Sequence, residues 1–188
     1  MVRVGRLTVA LYNSYDPNRW HEIHSRQIAR TAPLCLAYGF KLALLGFPLD
    51  DLGVRTPTEL AEEVAKSTTV GTGREVLELA ERGLLETYDF PDPGFPPQLG
   101  EVIATTSKPD PSKSVEPEDV VETLLKPRSL TVVIGLGRRG LPDEVLEVAD
   151  AHLEITGKGF SLETCAAIGA VLGVLGHLLR RRLEKEPL

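Results

Sequence analysis

The chain has 188 residues, in which 21 lysines and arginines face 27 aspartates and glutamates, a formal net charge of −6. That length accommodates one ordinary domain with a real hydrophobic core and leaves little room for two, so residues 1–188 are expected to form a single α/β domain. The acidic balance excludes a generally basic nucleic-acid coat, and any polynucleotide partner must therefore meet a local cluster of arginines.

In chain order, the N-terminal stretch MVRVGRLTVALYNSYD is too short in apolar residues for a signal peptide. Leu7–Tyr12 reads as the first strand. Asp16 is a good N-cap with Pro17 at the first helical position, so a helix is expected from there to Gly39, broken or kinked at Pro33. Lys41–Leu45 is the second strand, and Thr56-Pro57-Thr58-Glu59 is a capping box that opens a helix to about Lys66. A helix over 72–85, a short strand over 86–90 and the turn-rich PDPGFPP connector follow.

Glu101–Thr105 is the next strand, ending in a loop over 106–114, and a helix is expected near 117–125. Leu130–Ile134 is an apolar, β-branched run of the kind a central parallel strand needs. After the loop 135–140 come a helix over 142–150, a strand over 152–156 and a closing helix from Ser161 to about Lys185. Strand and helix alternating in this way predict a mainly parallel sheet with helices on both faces.

The closing helix carries two apolar stripes: Cys165, Ile168, Leu172, Leu175 and Leu179, and beside them Ala167, Val171, Val174 and Leu178. One stripe suffices for a helix lying on a monomer, so the second predicts a symmetric partner, a homodimer, with burial under a loop as the alternative. The run Cys165–Leu179 is shorter than a bilayer span and is interrupted by glycines and His177. Cys35 and Cys165 sit in apolar surroundings as thiols of a reducing compartment. A cytoplasmic protein without a membrane partner is expected. His21 and His24 have a metal-like spacing but no third ligand in view, so no metal is expected.

The loop 135–140 reads GLGRRG, which satisfies the dinucleotide pattern G-x-G-x-x-G. A dinucleotide oxidoreductase is the weaker reading. Only one strand and one long helix remain after the loop, Pro142 starts the helix beyond the third glycine, and Glu154 falls within a strand.

Two longer stretches, VVIGLGRRGLPDEVLEVAD (132–150) and LEITGKGFSLETCAAIGAVLG (153–173), resemble the second and third motifs of the SPOUT superfamily of RNA methyltransferases. The resemblance further suggests an uncharacterised archaeal family within it. It implies an α/β fold with a deep C-terminal trefoil knot, and S-adenosylmethionine held bent by three loops. By motif position, Gly135, Leu136, Gly137, Gly140, Ile155, Gly157, Ser161 and Leu162 are implied to line the cofactor pocket, with Thr105 and Thr106 as its third wall. Glycines there let main chain approach the ligand.

The family's first motif carries an arginine on a helix, and Arg30 matches it, with Arg26 as a substitute because the spacing to Gly39 is long. Arg19, Arg26 and Arg30 share one face of the expected helix, where Glu22 can pair with Arg26. Ribose methylases of this class carry Asn-Glu in the second motif and Ser-Leu-Asn in the third; here stand Leu136-Gly137 and Ser161-Leu162-Glu163. Glu163 is either a replaced catalytic proton acceptor or a first-turn carboxylate that complements the helix dipole, with Ser161 as N-cap. The expected function is methyl transfer from S-adenosylmethionine, with RNA as acceptor. A knotted RNA- or cofactor-binding protein without turnover is the alternative.

Overall fold

The computed structural model describes residues 4–92 and 94–185. Seven strands form one sheet in the order β3-β2-β1-β6-β4-β7-β5, and every pairing is parallel. The strands are β1 (Arg6–Tyr12), β2 (Lys41–Leu45), β3 (Leu85–Tyr88), β4 (Glu101–Thr105), β5 (Ser114–Val115), β6 (Ser129–Gly135) and β7 (Ala151–Leu153). The helices are α1 (Glu22–Tyr38), α2 (Leu49–Leu52), α3 (Pro57–Ser67), α4 (Arg74–Glu81), α5 (Pro117–Leu124), α6 (Asp143–Val148) and α7 (Thr164–Lys185).

The two central strands are apolar on both faces, as a covered parallel sheet requires. Leu7, Val9 and Leu11 of β1 and Leu130, Val132 and Ile134 of β6 join one core with α1, α3, α4, α5 and α7. Ala10, Val133, Ala104 and Leu45 face the other way, onto α6 and the turn Pro97–Leu99. Helices thus lie on both faces, but unequally, because long side chains feed the first core and mostly small ones the second.

Several elements depart from the sequence expectation. Asp16 does not cap α1. Its carboxylate accepts from the N–H groups of Asn18 and Arg19 at 2.9 and 3.1 Å, closing a turn, and the helix starts six residues later, at Glu22. Arg19 therefore lies off the helix that holds Arg26 and Arg30. Pro33 sits inside α1 without ending it: it is exposed, while Ala32 and Cys35 on either side are buried and hold the helix to the core. Gly39 closes α1 in the left-handed region at φ 72°. The two-residue β5 and the short α2 had no legible signal.

Helix α7 is 22 residues long and, by length and composition alone, apolar enough to cross a membrane, since it continues past the run that ended at Leu179. Ile168, Val171, Leu172 and Leu175 are buried in the core, where α7 packs against α1 and α5. Val171 belongs to the second stripe, so intramolecular packing consumes part of the surface assigned to a partner. Val174 stays exposed.

Candidate functional site

In a parallel sheet all carboxyl ends share one edge, and ligands bind there. Strands β6, β4 and β7 are neighbours, so the loops that follow them converge. They enclose a pocket lined from β4 by Thr105, Thr106 and Ser107, from β6 by Gly135, Gly137 and Arg138 to Leu141, and from β7 by Glu154, Ile155, Phe160, Ser161 and Leu162. The start of α7 closes it with Thr164, Ala167 and Val171.

Backbone makes the tightest wall. A Cβ at Gly135 would sit 2.5 Å from the carbonyl carbon of Gly140, so only glycine lets the loop fold back on itself. The Gly140 N–H donates to the Gly137 carbonyl at 3.0 Å and Gly140 turns at φ 68°. The Leu136 N–H donates to the Tyr12 carbonyl at 2.9 Å, and the Gly137 N–H donates to Ser14 Oγ at 3.0 Å. Thr164 Oγ1 donates to the Leu136 carbonyl at 3.0 Å, pinning the first turn of α7 under the loop. Thr105 Oγ1 donates to the Val133 carbonyl at 2.9 Å and Thr106 N–H to the Leu153 carbonyl at 3.1 Å, tying the third loop to both neighbours.

Glu154 organises the loop after β7. Burial works against its carboxylate, but the hydroxyl and N–H of Thr156 and the N–H groups of Gly157 and Gly159 donate to it. Together they hold it below the ordinary carboxylate range.

Of the residues implied for the pocket, Thr105, Thr106, Gly135, Gly137, Gly140, Ile155, Ser161 and Leu162 line it together. Leu136 is buried beneath the loop and contributes the carbonyl that receives Thr164. Gly157 stands outside the wall as a turn at φ 65°. Neither Arg26, Arg30 nor Glu163 lines the pocket. Arg30 Nη1 donates to Cys165 Sγ at 2.7 Å, and that thiol lies 3.3 Å from Gln27 Oε1 as its donor. Arg26 approaches Glu22 at 4.0 Å, and its Nε is buried without a hydrogen-bond partner among the described residues. Glu163 accepts from the Cys165 N–H at 3.1 Å, the geometry of a first-turn cap. Sequence reasoning passed over Thr164 and Phe160, whose neighbours carried the motif. Arg138 and Arg139 are exposed and enter no ion pair among the described residues.

Next along the same edge, behind β1 and β2, lies a polar and aromatic node. His24 is fully buried, its ring centroid 5.1 Å from that of Trp20. Its Nδ1 accepts from the His21 N–H at 2.9 Å, which leaves Nε2–H to donate to Asn13 Oδ1 at 3.1 Å. Burial pushes the His24 pKa down to about 4, so the ring is neutral at pH 7. Asn13 Nδ2 donates to the carbonyls of Asp16 and Gly46 at 2.7 and 2.9 Å. His21 Nε2 pairs with Asp16 Oδ2 at 2.8 Å, and that hydrogen bond, helped by the Asn18 and Arg19 N–H groups, lowers the Asp16 pKa to about 2.

A family model described as a protein of unknown function (DUF531) matches residues 7–176. An uncharacterised protein of Methanocaldococcus jannaschii, MJ0224, is 43% identical over 176 residues, 93% of this chain and 96% of that one. Among solved structures, a probable methylase family protein of Haemophilus influenzae aligns with a TM-score of 0.65 at 17% identity, over 98% of this chain and 70% of its own. An S-adenosylmethionine-bound rRNA methyltransferase of Sinorhizobium meliloti aligns with a TM-score of 0.50 at 19% identity, over 97% of this chain and 58% of its own.

Proposed function

The chain belongs to the family described as protein of unknown function DUF531, and from that premise we propose that it is an S-adenosylmethionine-dependent methyltransferase acting on RNA. The observation that carries the reading is the convergence of three loops, after β6, β4 and β7, on one pocket with a backbone wall at Gly135, Gly137 and Gly140. The methyltransferase fold it shares with the solved structures supports the same reading.

Bound there, S-adenosylmethionine would supply an electrophilic methyl group on sulfur to an acceptor atom that loses a proton, leaving S-adenosylhomocysteine. The chain's own contribution is positioning. Main-chain groups of the three loops would hold the nucleoside, and the Thr164–Leu136 hydrogen bond keeps the start of α7 at a fixed separation from the loop after β6. Arg138 and Arg139 line the pocket as exposed cations, in no ion pair among the described residues, suited to acceptor phosphates. Arg30 is held by Cys165 beside the first turn of α7 and serves as a fixed cation behind the pocket.

The reading carries further parts. The segment after β6 is proposed to form a trefoil knot, in keeping with β7 inserting between β4 and β5 before α7 returns to α1. A homodimer is proposed through the exposed face of α7 around Val174, where Ala166 and Gly169 let another helix approach closely. A cytosolic setting suits an RNA acceptor. Sedimentation equilibrium tests the dimer: a monomer at micromolar concentration removes it.

A binding protein without turnover is the second reading, favoured by the engagement of Arg30 on Cys165 and of Glu163 on its own helix. Calorimetry with S-adenosylhomocysteine and NAD, followed by transfer of labelled methyl groups into total archaeal RNA, separates the possibilities. Heat with S-adenosylhomocysteine and label in RNA are expected. Heat without label selects the binding protein, and heat with NAD alone selects an oxidoreductase.

A further inference from the structure

We propose that the cleft in front of β1, beside the cofactor pocket, is a stacking slot for one unpaired base of a single-stranded RNA; the inference rests on the transferase reading above and names the form of its acceptor. The cleft has a volume of about 490 Å³, and its walls include Tyr12, Tyr15, Phe90, Arg139 and Asp143. The chain has 4 tyrosines and 5 phenylalanines, and Tyr12, Tyr15 and Phe90 meet at this one cleft.

The two outer rings are exposed yet held. Phe90 is 36% exposed, packs on Tyr12 with ring centroids 5.2 Å apart, and lies so close on Gly46 that a Cβ there would meet the ring at 2.2 Å. Tyr15 is 53% exposed while its ring makes edge contacts with His21 and His24 at 5.3 and 6.0 Å. Rings already ordered by their neighbours lose little freedom on stacking, which is what a base platform needs.

Charge orients the strand. Arg139 lines both this cleft and the cofactor pocket, with Arg138 next to it. Asp143 lines the cleft on the same segment as Arg139, and beyond Phe90 the carboxylates of Asp89 and Asp92 stand in the adjoining pocket and repel phosphate. A sugar-phosphate backbone is thereby drawn toward Arg138 and Arg139 and kept from the Asp89 and Asp92 side while the base enters between the rings. The Gly137–Ser14 hydrogen bond ties the cofactor loop to the turn that carries Tyr15, so an occupant is registered against the cofactor.

The test is fluorescence anisotropy with a labelled single-stranded RNA of roughly ten nucleotides, its duplex and an abasic version. Calorimetry with S-adenosylhomocysteine is run on the same protein samples. Tyr15→Ala and Phe90→Ala are each expected to weaken single-strand binding roughly 5- to 100-fold, with Phe90→Tyr restoring it. The duplex and the abasic strand should bind as weakly as the alanine variants do. Tyr15 is exposed, so its variant folds even if that of Phe90 does not. Undiminished binding by Tyr15→Ala, equal binding of the abasic strand, or no binding by the wild-type protein overturns the slot. Ring-dependent RNA binding without heat from S-adenosylhomocysteine would uphold the slot and overturn the cofactor reading instead.

Discussion

Two stretches of one sheet edge are built on opposite principles. Behind β6, β4 and β7 the pocket's tightest wall is main chain at glycines, and its shape depends on side chains being absent. Behind β1 and β2 the node is made of side chains, with Asn13 and His24 buried and their polar atoms paired. Added volume should therefore damage the first and lost hydrogen bonds the second. The two stretches touch through Leu136–Tyr12 and Gly137–Ser14.

Gly135→Val makes the largest difference. Its Cβ must enter space held by the Gly140 and Leu141 backbone, so S-adenosylhomocysteine heat should vanish and stability fall by about 3 kcal/mol. Calorimetry and denaturant midpoints check both, and retained binding would break the comparison on the pocket side. Asn13→Ala strips the acceptor from His24 Nε2–H and the donor from the Asp16 and Gly46 carbonyls. A loss of about 2–3 kcal/mol is expected, with cofactor affinity within about threefold of wild type.

Acid separates the two stretches through His24. Its folded pKa of about 4 lies below the ordinary value of 6.5, so the unfolded chain binds the proton first as pH falls. Stability should thus be fully present above pH 6.5 and decline toward pH 4, by about 2 kcal/mol after allowance for solvent screening. Thermal unfolding across that range, with the His24 ring followed by NMR, checks the sign; a flat profile removes the neutral-histidine account. Glu154 and Asp16, held below their ordinary values of 4.5 and 3.8, keep their full stabilisation above about pH 5 and begin to lose it only at the acid end of this range.

Thr164→Val removes one buried hydrogen bond to Leu136 and should cost about 1 kcal/mol, with weaker cofactor binding as α7 loosens from the loop. Thr56→Ala, in the capping box of α3 and remote from both stretches, should cost about 1 kcal/mol and leave cofactor heat unchanged. A change in cofactor affinity there would mean that the edge responds to global stability rather than to local construction.

Much of the fold was legible because periodic apolar runs and helix signals are local. Lys41–Leu45 and Glu101–Thr105 coincide with their strands, and the Thr56 box opens α3 at Pro57. The start of α1 was misread because Asp16-Pro17 carries the same local chemistry in an Asx turn as in a helix cap. His21 and Asp51, which contact that turn and Trp20 from elsewhere, draw the chain into the turn form. The glycine walls at 135, 137 and 140 were visible as residue types, since absence of a side chain is itself a sequence signal.

By itself, then, the sequence determined an alternating α/β chain with parallel strands and the glycine positions where main chain could wall a ligand. These follow from period, capping and backbone freedom, each set within a few residues. Only the tertiary structure decided that Arg30 rests on Cys165, that His24 is buried on Asn13, and that Tyr15 and Phe90, 75 positions apart, share a cleft with Arg139. Those contacts depend on which strand ends lie side by side, and that order is fixed by how the helices cover the sheet rather than by any local pattern.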